Sequence, residues 1–203
     1  MDYKKIKRLR RIYIIISIII GVTAPLLCYF LLPSFNIKSE PLSKFGISTQ
    51  TSKIWFWSLI LISLGLWLNG EYRIKELIKR EPWKPVLKII LRVSLLCLIL
   101  TAVIDMSYHS THKIVALIFF CGYNLFVFMF GIVRSLNYLK KGIFSVGMGT
   151  LMLLTSLLVI PFPSYGVAEI AFIILISIWN TRILLKNSIW SFFPESYSLF
   201  SCL

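Results

Sequence analysis

Acidic side chains are scarce in this chain, with 8 Asp and Glu against 22 Lys and Arg in 203 residues. Metal-ligating groups are thin as well: two histidines, His109 and His112, and four cysteines. Cys28, Cys97, Cys121 and Cys202 form no CxxC pair, which excludes a zinc knuckle and offers no disulfide framework. We read them as apolar fillers. There is no phosphate-binding glycine loop and no nucleotide domain, so the sequence does not point to a primary pump, and no serine nucleophile motif is present. Long polar stretches are missing too. The largest connection between apolar runs, Pro33 to Lys53, is too short to hold a globular core of its own.

What the chain has in abundance is apolar sequence: 58% of residues are hydrophobic and the mean hydropathy is +0.83, outside the soluble range. Six runs carry it, at residues 12–32, 54–69, 86–106, 114–133, 142–160 and 165–185. At 1.5 Å per helical residue, each crosses or nearly crosses a hydrocarbon core about 30 Å thick. The expectation is an all-α polytopic membrane protein, a six-transmembrane-helix bundle forming a single membrane domain over residues 1–203.

The cations orient it. Lys4, Lys5, Lys7, Arg8, Arg10 and Arg11 precede the first run, and Arg73, Lys75, Lys79, Arg80, Lys84 and Lys88 surround the second connection. Arg134, Lys140 and Lys141 mark the fourth connection, and Arg182 and Lys186 follow on the same side. The other side has only Lys38, Lys44, Lys53 and Lys113. This positive-inside bias predicts cytoplasmic N and C termini. The cations sit beside span ends, so the net charge of +14 serves topology and anionic headgroups and not nucleic acid. Arg92, inside the third run and four residues after Lys88, is expected to snorkel with it to the cytoplasmic interface. The Ile, Lys and Asn richness fits a low-GC bacterium and its inner (cytoplasmic) membrane.

Within the runs, the first lacks a small-residue cleavage site and reads as an uncleaved anchor, with Pro25 removing one helical hydrogen bond four residues after Gly21. Ser145 and Gly149, with Gly142 and Gly147 nearby, have the spacing of close helix approach, either within the chain or in a dimer. Phe119, Phe120, Phe126, Phe128 and Phe130 read as core or lipid-facing bulk, and Trp55, Trp57, Trp179 and Trp190 as interface residues, Trp179 the deepest. The tail after Asn187 is expected along the cytoplasmic interface. The first connection, with Pro33 to Asn36 and Pro41 to Gly46, and the last, Pro161 to Gly166, read as ordered turns roofing the outer end.

One polar group lies under that roof. Asp105, His109 and His112 close the third run, and Glu169 opens the sixth. A helix continuing past residue 106 would place 105, 109 and 112 on one face, at i, i+4 and i+7. Three readings stand: a clamp between helices, a binding or proton-coupling site, and a site for a divalent metal such as zinc ligated by these four residues.

At these residues the chain resembles an uncharacterised family of six-helix prokaryotic integral membrane proteins, itself remotely similar to the Frag, DRAM and Sfk membrane proteins. Pro41 to Gly46 stands for its Pro-rich turn with a Ser-x-Leu/Phe-Gly element. Asp105 with His112 and Ala116 stands for its acidic turn and helix-opening His, and Gly166 with Glu169, then Trp179, for its Gly-x-x-Glu start to the last helix. Ile104 and Ile170 depart from the family's usual Pro and basic residue. The resemblance implies that Asp105, His112 and Glu169 belong together, and it implies no reaction. The function expected is binding of a lipid headgroup, small solute or partner segment at a non-cytoplasmic polar site. The rivals are a metal-dependent membrane hydrolase and a structural or accessory subunit of a membrane complex. Membrane lipids are the expected partners, with a second membrane protein or a second copy as the alternative.

Overall fold

On the first helix the residues Ile14, Ser17, Gly21, Ala24 and Cys28 recur at alternating steps of three and four, and all are buried. That spacing places them on one stripe of a 3.6-residue helix, while Ile12, Ile15, Ile16, Ile19, Leu26 and Phe30 face outward. The pattern repeats along the chain in a computed structural model that describes residues 3–104, 106–137, 139–161 and 164–189. Its helices are α1 (Tyr3–Leu31), α2 (Ser52–Leu77), α3 (Trp83–Val103), α4 (His109–Ser135), α5 (Leu139–Thr155) and α6 (Gly166–Ile189). Short 3₁₀ turns occupy Leu42–Gly46, Met106–Tyr108 and Ser156–Val159, and no strand occurs among the described residues.

Helix ends follow local chemistry more than hydropathy. Helix α1 extends ahead of the apolar run at 12–32 to Tyr3, and α2 extends past the run at 54–69 to Leu77, because the flanking Lys, Arg and Glu are good helix formers. The second connection is therefore only residues 78–82, and Arg73 lies within α2. Pro82 and Pro85 sit at the cap and first turn of α3, where a missing N–H costs no helical bond. Helix α3 does not run on: the chain turns extended at Ile104 (φ −89°, ψ 95°). The single face proposed for positions 105, 109 and 112 is thus broken, with His109 and His112 in the first turn of α4. Asp105 lies outside the described residues, as do Trp190, Cys202 and the rest of the tail from 190 onward.

Consecutive helices pack side by side and α6 returns to α1, closing a ring. Helices α1 to α4 each contain a segment long and apolar enough to cross a membrane, and α5 contributes the shorter apolar segment Gly142–Leu158. The outward surface carries Phe30, Ile89, Leu117, Leu153 and Ile160, an apolar exterior that suits lipid and not water.

Apolar helices gain little from each other by the hydrophobic effect inside lipid, so close approach and polar contacts decide the packing. A Cβ on Gly131 would stand 2.5 Å from the Val146 backbone nitrogen, and one on Gly149 would stand 2.8 Å from Phe128 Cβ. The small-residue stripe of α5 is therefore consumed against α4 inside the chain. Gly147, with nothing within 4 Å, is outside that contact. Phe119, Phe126 and Phe130 prove to be core, and Trp179 stands edge-on to Tyr123, Phe126 and Phe130 at 5.8 to 6.4 Å. Arg92 and Lys88 share a face as their spacing requires, but they converge on Glu71 of α2, at 2.7 Å and 3.8 Å.

Gly131→Ala should lower the thermal unfolding midpoint of the detergent-solubilised chain, by an overpacking cost of about 1 to 3 kcal/mol. Gly147→Ala should leave it unchanged or raise it. Equal midpoints for the two variants in a thermal melt would contradict the α4–α5 contact.

Candidate functional site

The connections at one end of the bundle fold onto one another. Phe35, Leu42 and Phe45 are buried with Cys28 and Trp55, so the first connection has a small core of its own. Asn36, Glu40 and Lys44 form its polar clip: the Asn36 N–H donates to Glu40 at 3.1 Å, and Lys44 pairs with Glu40. Lys44, and secondarily the Asn36 N–H, hold the Glu40 carboxyl below its ordinary pKa. Ser164, ahead of α6, donates to Ile37 O at 3.3 Å, and Gly166 presses against the Ile37 and Glu40 carbonyls where a Cβ would collide. Ser43 reaches Met106 Sδ at 3.0 Å from the same connection.

Glu169 holds this cap to α6. Its Oε2 accepts the Leu42 N–H at 2.7 Å, a bond between residues 127 apart. The first turn of α6 suits a carboxylate, since the helix dipole is positive there. His112 does a related job across the α3–α4 break: its Nδ1 lies 2.5 Å from Ile104 O, a carbonyl left without a helical partner by the end of α3. A carbonyl only accepts, so Nδ1 carries the proton and, in the neutral ring, Nε2 is left as an acceptor. His109 is exposed and does not join them.

His112 and Glu169 line a common cavity of about 120 Å³. Its walls are apolar, from Ile14 and Ile18 of α1, Leu59 and Ile62 of α2, and Phe172 and Ile176 of α6. Gly21 and Pro25 also line it, so the carbonyl deprived of its helical donor by Pro25 belongs to the cavity wall. Among the described residues, no three His, Cys, Asp or Glu side chains group closely enough to hold a metal ion. Of the four residues offered as ligands in the zinc reading, His112 and Glu169 line the cavity, His109 is exposed and Asp105 lies outside the described residues.

The opposite end of the cavity ends in Asn69 and Asn180. Asn69 donates to Asn180 Oδ1 at 2.6 Å, and Asn180 donates to Tyr123 Oη at 3.3 Å and to Ile176 O at 2.8 Å. Arg73, one turn beyond Asn69, is fully buried. Its Nη2 donates to Asn180 O at 3.0 Å and its guanidinium lies 3.9 Å from the Trp179 ring centroid. Trp179 in turn donates to Ser145 Oγ at 3.0 Å. One charged hydrogen bond contributes about 1.5 to 3 kcal/mol and a desolvated cation–π contact about 2, against several kcal/mol for burying an unpaired ion. The sequence marks Arg73 only as a topological cation. The signal available was its i,i+4 spacing from Asn69, which puts both on one face.

Comparison of the chain with family models, curated proteins and solved structures finds no match.

Removing the carboxyl in Glu169→Ala should release the first connection, and amide hydrogen exchange across residues 36–50 should quicken about tenfold or more. Glu169→Gln keeps an acceptor for Leu42 N–H and should leave exchange near wild type. Identical exchange in both variants would deny Glu169 this role.

Proposed function

We propose that this protein is a multi-pass membrane protein that binds a lipid-type amphipath, with a donor-bearing headgroup at His112 and Glu169. The apolar part lies against the cavity walls. The observation that carries this reading is that His112 and Glu169 line one apolar-walled cavity and both present acceptors, a carboxylate and a ring nitrogen. Two acceptors on one cavity wall match an ammonium or a cluster of hydroxyls and repel a bare phosphate. The volume suits a small amine- or hydroxyl-bearing head, since a cavity of about 150 Å³ holds one small aromatic ring.

The topology that goes with it has six crossings and cytoplasmic N and C termini, on the positive-inside distribution of Lys and Arg. The cap then lies on the non-cytoplasmic side. Membership in the six-helix prokaryotic family belongs to the same proposal. It is supported by the meeting, at one end of the bundle, of Pro41 to Gly46, His112, and Gly166 with Glu169. The accessory-subunit reading has no comparable arrangement, since the α5 stripe is occupied by α4.

Native mass spectrometry of the detergent-purified chain, supplied with equal phosphatidylethanolamine and phosphatidylcholine, tests the site. Wild type should retain the primary-amine lipid preferentially, and Glu169→Gln/His112→Ala should lose that preference by about tenfold. A folded double variant with the wild-type lipid profile would overturn the reading.

For topology, a membrane-impermeant maleimide should label Ser39→Cys in intact cells and Asn137→Cys only after permeabilisation, in a cysteine-free background. The reverse pattern would invert the orientation.

A further inference from the structure

A charged cluster stands on the outer surface of the bundle, at the seam between α2 and α3. Arg92 directs Nε and Nη2 to one Glu71 oxygen, each at 2.7 Å, and Lys88 Nζ stands 3.8 Å from the other. The Arg92 side chain is 53% exposed and that of Lys88 37%, against 24% for Glu71, so the carboxylate lies beneath and the two cations face outward. Among the described residues, Arg92 Nη1 and the Lys88 ammonium have no hydrogen-bond partner. Lys75, one turn after Glu71 on α2, is exposed as well, so the seam has more positive charge than Glu71 balances.

The cluster borders an apolar strip. Ile89, Arg92, Val93 and Leu96 recur at i, i+3, i+4 and i+7 and are all exposed, which places them on one outward face of α3. Leu64, Leu68, Glu71 and Lys75 follow the same spacing on α2, with both leucines exposed. Beyond the Glu71–Arg92 pair, the seam therefore presents Leu64, Leu68, Val93 and Leu96 in one direction and Lys75 and Lys88 in the other. Glu71 stands about 27 Å along the α2 axis from Lys53, close to the thickness of the hydrocarbon. With Lys53 at one membrane surface, the pair falls at the opposite boundary, where lipid phosphates lie.

We propose that the α2–α3 seam docks an anionic phospholipid of the cytoplasmic leaflet. Its phosphate is held by Arg92 Nη1 and the Lys88 ammonium, Glu71 positions both cations from beneath, and an acyl chain lies along Leu68, Val93 and Leu96. Cations at a membrane boundary attract the anionic lipids of that leaflet, and a shared carboxylate leaves two of them short of negative charge. A zwitterionic choline headgroup would bring its own cation toward Lys75 and is disfavoured. The site rests on the membrane-spanning reading and its orientation. It is separate from the cavity and independent of what His112 and Glu169 bind.

Native mass spectrometry of the full detergent-purified chain, supplied with equal phosphatidylglycerol and phosphatidylcholine, tests it. Wild type should retain phosphatidylglycerol preferentially. Glu71→Gln/Lys88→Gln/Arg92→Gln, which leaves no carboxylate unpaired and lowers the net charge by one, should lose that preference about tenfold. Lys4→Gln lowers the net charge equally, away from the seam, and should keep it. If the triple variant does not fold, Lys88→Gln alone, with the Arg92–Glu71 pair intact, should reduce the preference about fivefold. Absence of the preference in wild type overturns the proposal, and so does an equal loss in Lys4→Gln, which would mark a general charge effect. An unchanged lipid profile in the folded triple variant, or in Lys88→Gln, overturns it too. A bound polypeptide in place of lipid, released in the variants, would replace it with an acidic protein partner.

Discussion

The bundle turns on one polar junction, the Asn180 side chain and backbone with Arg73, Asn69 and Tyr123 around them. Apolar helices in lipid have no solvent to escape, so apolar surface alone does not choose one rotation or register over another. A polar group does choose, because each unsatisfied donor in that medium costs several kcal/mol. Asn180 ties α6 to α2 and α4 at one level, and Trp179 extends the tie to Ser145 of α5. Ser63 donating to Leu95 O adds α3, and Ser17 reaching Leu61 O adds α1, though at a long 3.4 Å. The register of all six helices is thereby fixed over about 12 Å along α2, from Leu61 to Asn69.

The cap solves a different problem with the same means. Three irregular connections meet at one end, and irregular backbone has donors and acceptors that no helix satisfies. Glu169 takes the Leu42 N–H, His112 takes the Ile104 carbonyl, Thr51 donates to Phe45 O, and Ser164 serves Ile37 O and the Gly166 N–H. In the proposed function, structural duty and ligand binding fall on the same side chains. A carboxylate with two oxygens and an imidazole with two nitrogens can each serve both.

Much of this was legible in the sequence, and the failures have physical causes. Apolar runs announced every helix, since burial in lipid demands continuous hydropathy. The helices run past the apolar runs at α1 and α2 because Lys and Arg extend a helix as well as they punctuate a membrane boundary. The break at Ile104 has neither Gly nor Pro to signal it. His112 and Glu169 were visible as rare ionisable groups, but Glu169's partner is a backbone N–H 127 residues away, which side-chain patterns do not encode. Arg73 was read as a loop cation because its burial is decided by Trp179 and Asn180, more than a hundred residues downstream.

Helix α5 has a consequence for the bilayer itself. Its α-helical segment has 17 residues against 26 to 29 in α1, α2 and α4, about 25 Å of rise where the hydrocarbon is about 30 Å thick. The 3₁₀ turn Ser156–Val159 continues directly from it and adds about 8 Å, which brings this wall to the thickness of the hydrocarbon. Its hydrogen bonds have poorer geometry than those of an α-helix, so in the proposed six-crossing arrangement the lipid beside α5 meets a turn that yields more readily than the helices around the rest of the ring.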